Sequence, residues 1–271
     1  MAALAQRFPA LSIPPLGDVV EGFRRHELLV RASGIAFRTL FALIPLTLFA
    51  LALAGTLSLD SLWTEHLAPQ IAPKVSSSVY DILNSTATAV LGSRQLFWMT
   101  AGFALLLWEL AAATRAVMRS LDRIYHGREE ERPLRERVLT SVWLGLAAGA
   151  CVLAAAAILQ LAPLPGILRY VLAAAALWLT VGLLVRFGPA EPQPLGWISF
   201  GSTLVVVGWL VTWTIYGLYL THVADVGSAF GAFAAVIVLM TFLQLSASVL
   251  LAGALIDSLV REAVTGDRQG T

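Results

Sequence analysis

The chain has 271 residues, of which 58% are hydrophobic and only 13% charged, and its mean hydropathy is +0.79. Soluble domains are about half apolar and about a quarter charged, so this composition excludes a water-soluble globule, which could not hide so much apolar surface behind a charged skin. The formal net charge of +1 says little by itself; the distribution of the charges along the chain says more.

The first residues hold no compact apolar core followed by a small-residue cleavage site, so no cleaved signal peptide is expected. Instead "PLGDVVEGFRRHELLVR" (residues 15–31) groups Val19, Val20, Phe23 and Leu28 against Arg24, Arg25 and Glu27. That is the pattern of a short amphipathic helix lying along a membrane surface, within a cytoplasmic N-terminal segment over residues 1–32. From there the chain divides into six apolar stretches, roughly 33–57, 96–117, 138–160, 167–187, 197–220 and 229–258. Each is long enough to cross ~30 Å of hydrocarbon, which takes about 20 helical residues. Backbone groups in lipid must be satisfied within their own segment, so the spans are expected to be helices. The predicted fold class is an all-α membrane protein, a six-helix transmembrane bundle over 33–258 followed by a cytoplasmic tail over 259–271.

The first two spans carry charges well inside their boundaries. Arg38 lies about six residues beyond the inner boundary of the first, and Glu109 about seven residues before the second leaves on the same side. Consecutive antiparallel helices bring them to similar depths, which makes Arg38 and Glu109 a candidate intramembrane ion pair or pathway. The alternative is an arginine snorkelling to the inner headgroups and a protonated or hydroxyl-bonded glutamate. Pro45 should bend the first span after about residue 41. Between these spans, residues 58–95 form an outer connection in which Leu67, Ile71, Val75, Val79, Ile82 and Leu83 recur at steps of three and four. They predict one apolar helical face, with Ser76, Ser77, Ser78 and Asn84 opposite, in an outer helical cap.

The basic inner loop, about 118–137, follows the second span. Further on, "QLAPLPGILR" and "FGPAEPQPLG" impose proline-rich breaks on either side of the fourth span. Gly145 and Gly149 in the third span form a G-x-x-x-G that predicts close helix contact, within one chain or across a homo-oligomer. The only cysteine, Cys151, falls in that span, which leaves no disulfide and no thiolate metal site. Near the inner ends of later spans, Asp257 and Arg186 form a second candidate polar site. If six helices alternate, one side receives Arg7, Arg24, Arg25 and Arg31, the seven arginines from Arg115 to Arg137, and Arg186, Arg261 and Arg268. The other receives only Lys74, Arg94 and Arg169. This bias predicts a plasma (inner) membrane protein with both termini cytoplasmic.

Several stretches have a familiar order. "FALLLWELAAATRAVMRSLDRIYHGREEERPLRERVLTSVWLG" resembles the second span and inner loop of the YihY/BrkB family of bacterial inner-membrane proteins, with Trp108, Leu121, Arg123, Ile124, Tyr125, Arg132 and Pro133 at matching places. "GSAFGAFAAVIVLMTFLQLSASVLLAGALID", containing Gly227 and Gly231, is similar to the family's last span, and "IAFRTLFALIPLTLF", containing Pro45, to its first. The resemblance runs from about residue 20 to 258. Asp122 stands where the family usually has Asn. Leu255 stands where the last helix usually has Glu, so a role for that Glu is not carried over; Asp257 lies nearby.

That family was once labelled ribonuclease BN, which raises a nuclease reading. A metal-dependent phosphodiesterase needs clustered His and carboxylate ligands to hold an ion and activate water. The four histidines here, His26, His66, His126 and His222, lie far apart and on both membrane sides, and no H-x-H-x-D-H pattern exists. No phosphate-cradling glycine loop, nucleophile elbow or dinucleotide fingerprint is present either. The arginines of the inner loop alternate with Glu129, Glu130, Glu131 and Glu136, so nucleic acid is not the expected partner; membrane lipid is. The sequence therefore points to a non-enzymatic transporter or permease-like protein without a cofactor or metal, its small-molecule or ion substrate unspecified. A structural or envelope-maintenance protein is the competing class, and a lipid-acting enzyme a third.

Overall fold

A computed structural model describes residues 15–56, 62–72, 77–92, 95–127, 133–161, 165–190, 200–222 and 229–269. All regular structure among them is helical, with no strand. In chain order the helices are α1 (Leu16–Arg25), α2 (Leu28–Thr56), a π-helical turn (Leu62–Leu67) running into the one-turn α3 (Ala68–Ile71), α4 (Ser77–Gly92) and α5 (Gln95–His126). They continue as α6 (Leu134–Leu161), α7 (Gly166–Phe187), α8 (Phe200–His222) and α9 (Ala229–Gln269). Six are long and apolar enough to cross a membrane, with candidate spans at Leu28–Leu53, Met99–His126, Arg135–Leu159, Gly166–Phe187, Gly201–Tyr219 and Val236–Val260. The expected count therefore holds, and two boundaries move. The second span does not end near 117 but continues as helix to His126, where Gly127 takes a left-handed φ of 69° and stops it, so the connection to the third span is shorter than the expected 118–137. The N-terminal amphipathic helix is also shorter than its pattern. It breaks at His26 and Glu27, where Glu27 adopts φ 51°, and Leu28 already belongs to α2.

The chain divides into two compact units. One comprises residues 1–34, 114–211 and 246–271; the other comprises 35–113 and 212–245.

In the first unit α6 and α7 pack against each other along their length. α7 turns Ala173, Thr180, Val181 and Leu184 inward, spaced at seven, eight and eleven residues, the repeat of one helical face. α6 buries Ser141, Leu144, Gly145, Ala148 and Ala155 on a similar stripe. α8 and α9 approach more closely. A Cβ at Gly201 would meet the Gly253 carbonyl and lie 2.9 Å from Asp257 Cβ, and one at Gly208 would lie 2.6 Å from Val249 Cγ1. Farther along, the Trp209 indole donates to the Ser246 carbonyl at 2.8 Å. Only glycine lets two backbones sit at that separation. The amphipathic α1 belongs to this unit too, with Gly22 seated over Leu255, while Arg24 and Arg25 are exposed.

In the second unit α2 and α5 cross at Gly102, where a Cβ would lie 3.1 Å from the Phe49 backbone nitrogen, and the Phe49 and Phe103 rings meet at 5.3 Å. α2 runs on as helix through the buried Pro45. Proline offers no N–H to the carbonyl four residues back. The connection between the first two spans corrects the expected face at two positions. Ile82 and Leu83 are exposed, at 65% and 40%, whereas Trp63, Ala68 and Ala87 form a small buried cluster with Leu51 and Tyr80 against it. Asn84, expected on the polar side, points inward and accepts a bond from the Trp63 indole at 3.0 Å. Tyr80, Asn84 and Ala87 share one face of α4, and Ile82 and Leu83 are turned away from it. Periodicity finds an apolar stripe; it does not say whether lipid or protein covers it. Of the other residues expected on that face, Val75 and the side chains of Leu67, Ile71 and Val79 lie outside what the structure describes.

Candidate functional site

Buried polar residues concentrate in the first unit: Ser120, Asp122, Ser141, Thr180, Ser202, Asp257 and Ser258 all expose 7% or less. Hydroxyls in helices satisfy themselves by bonding a carbonyl one turn back, as Ser120 does to Ala116, Thr180 to Ala176 and Ser258 to Leu255. Carboxylates cannot do that, so Asp122 and Asp257 need a different explanation.

Asp122 has a local one. α7 ends at Phe187, followed by Gly188 and the fully buried Pro189. Gly188 fits against Leu121, where an added Cβ would come within 2.8 Å of Leu121 Cδ1, and the Ala190 N–H donates to Asp122 Oδ1 at 2.7 Å. The carboxylate takes up a backbone donor just beyond the last turn of α7, where the chain has left the helix and that N–H has no partner one turn back. An asparagine could accept the same bond through its amide oxygen.

Asp257 lies elsewhere, on α9 one turn after Gly253. With Tyr125 of α5, Gly201 and Ser202 of α8 and Gly253 of α9, it lines a cavity of about 10 Å³ whose apolar wall is Val181, Val185, Val205 and Ala254. That is the room one water-sized sphere needs. Asp257 and Ser202 are 6% and 7% exposed. The geometry follows from the sequence locally: Gly201 and Gly253 remove two side chains at the crossing, which lets the helices close while the polar groups beside them converge.

The other expected site residues fall as follows. Arg186 is not among the lining residues; its guanidinium lies over the neighbouring Phe187 ring at 5.3 Å. Arg38 is exposed on α2 and Glu109 half-buried on α5, and among the described residues no ion pair joins them. An arginine on an outward-facing position can run its stem along apolar surface to the headgroups. Trp108 is 69% exposed and Arg123 half-buried, and Pro133 is exposed at the start of α6. Gly231 lies within α9, while Arg132 and Gly227 lie outside the described residues. Ser202 was not singled out from the sequence; its only signal is a Gly-Ser pair at the start of the fifth span. Among the described residues no group of three or more His, Cys, Asp or Glu side chains stands close enough to hold a metal ion.

Comparison with known proteins adds an identity to this geometry. The Virulence factor BrkB family profile matches residues 19–271, nearly the whole chain. The chain belongs to the BrkB family. A curated relative, the ribonuclease-like protein YfkH of Bacillus subtilis (strain 168), is 24% identical over 269 residues, covering 91% of this chain and 95% of its own. No solved structure matches. Membership accounts for the motif order: the BrkB match takes in Pro45, Trp108, Tyr125 and both glycines of the last span. It also accounts for the multi-pass, membrane-integral character that the six apolar helices express.

Proposed function

We propose that this BrkB-family protein is a transporter or permease-like protein of the bacterial inner membrane, with both termini in the cytoplasm. One observation carries the reading: Asp257, a carboxylate in the last span, is buried beside Tyr125 and Ser202 on a water-sized cavity. Ionisable side chains within spans are costly and mark pathways for ions or substrates more often than they mark packing. Asp122 does not carry the reading, since its backbone bond gives it a structural task. The arginine bias toward one side supports the orientation.

A ribonuclease, which the relative's name raises, is disfavoured by the scattered histidines and by the lack of a clustered ligand set among the described residues. We read the protein as a non-enzyme, with lipid and not nucleic acid around it. The cavity's small volume favours a second reading, a membrane protein that maintains the envelope without moving anything.

The two readings separate in proteoliposomes on a solid support, challenged with a panel of alkali cations, amino acids, carboxylates and sugars while charge movement is recorded. A permease gives a current with at least one class, and Asp257→Asn removes it. Silence of the folded wild-type protein across the panel overturns the transport reading and leaves the structural one.

A further inference from the structure

We propose that the cavity at Asp257 is a binding site for one alkali cation. The inference rests on the permease-like reading for its purpose and on the lining for its existence.

The polar side chains among the lining residues carry only oxygen: a carboxylate on Asp257, a hydroxyl on Ser202 and a phenol on Tyr125. The carbonyls of Gly201 and Gly253 face across the same helix crossing, each lying where the other's Cβ would be. An oxygen-only set with no nitrogen or sulfur ligand selects hard cations over transition metals. The lining supplies one carboxylate, so a single positive charge neutralises it, whereas a divalent ion would leave an uncompensated charge in lipid. The volume of about 10 Å³ admits one dehydrated ion or one water and nothing larger. The two glycines matter beyond packing, because a side chain at either position would occupy space next to the donors. Three helices, α5, α8 and α9, each contribute a ligand, so an ion there ties together segments far apart in sequence.

The experiment is thermal unfolding of the purified full chain in one detergent, titrated with lithium, sodium or potassium chloride against choline chloride at constant ionic strength. A ligand that binds the folded state raises the midpoint in a saturable way, by roughly 3–6 °C at ten times its Kd for a chain of this size. At least one of the three ions is expected to do this, and Asp257→Asn to abolish the response. Ser202→Ala and Tyr125→Phe keep the fold's shape and should weaken the apparent affinity by roughly tenfold each, so the test survives an unstable Asp257→Asn. If no alkali ion moves the wild-type midpoint above choline, the cavity holds water only and the proposal is overturned; it is equally overturned if the response persists unchanged in all three variants. Binding without current in the proteoliposomes would retire transport and keep the site. Current that Asp257→Asn leaves untouched, with no cation effect on unfolding, would retire the site and keep transport.

Discussion

Replacing Gly201 with alanine places one methyl group in the closest helix crossing of the first unit. The new Cβ would collide with the Gly253 carbonyl oxygen and lie 2.9 Å from Asp257 Cβ, about 0.5 Å inside ordinary van der Waals contact. Neither obstacle can swing away, since one is backbone and the other is fixed to it, so α8 and α9 must separate. Overpacking of this kind costs about 1–3 kcal/mol, and rigid obstacles place it at the upper end. Alanine returns up to roughly 1 kcal/mol of helix propensity, leaving a net loss of about 2 kcal/mol. In a melting experiment that loss lowers the midpoint by roughly 4–8 °C. Gly253→Ala should behave alike, because its Cβ meets Val205 and the Gly201 carbonyl. Gly208→Ala should cost less, since its nearest neighbour is Val249 Cγ1, a side-chain methyl that can rotate. Gly34→Ala is the internal reference: nothing lies within 4 Å of its added Cβ, so it should be neutral or slightly stabilising. Thermal unfolding of the four variants in one detergent gives the ranking. If Gly201→Ala melts with Gly34→Ala, the two backbones do not meet where the structure puts them.

Asp122→Asn should be nearly silent in the same assay, whereas Asp122→Ala strands the half-buried Ala190 N–H and should cost about 1 kcal/mol. Arg38→Gln and Glu109→Gln should add within roughly 0.5 kcal/mol in the double mutant, because the structure does not pair them; a large coupling energy would show that they meet. A cysteine at the exposed Ser85 of α4 should react with a membrane-impermeant reagent in intact cells, and one at the exposed Arg135 of α6 should not. Labelling at 135 would reverse the orientation drawn from the arginines.

What the sequence reveals and what it hides divide along a physical line. The six spans are legible because the cost of burying polar backbone and charge in lipid is paid residue by residue, so each apolar run announces itself. Asp257 is legible for the same reason: it is out of place among apolar neighbours. The inward face of α4 is not, because Tyr80, Asn84 and Ala87, which pack inward, are less apolar than the exposed Ile82 and Leu83. The bond between Asp122 and Ala190 spans 68 residues and depends on where α7 stops, which no local pattern records. Ser202 becomes notable only once Gly201 and Gly253 close the crossing beside it.

α9 has a further use to the experimenter. It is unbroken for 41 residues, about 60 Å of helix, and its apolar span ends at Val260, nine residues before its last residue, Gln269. A soluble helical protein joined in phase to those nine residues would inherit the direction of the span as a stiff handle. At 29.0 kDa the chain offers little mass of its own for electron imaging. A partner fused along α9 would supply a visible landmark whose rotation reports, turn by turn, how the last helix sits.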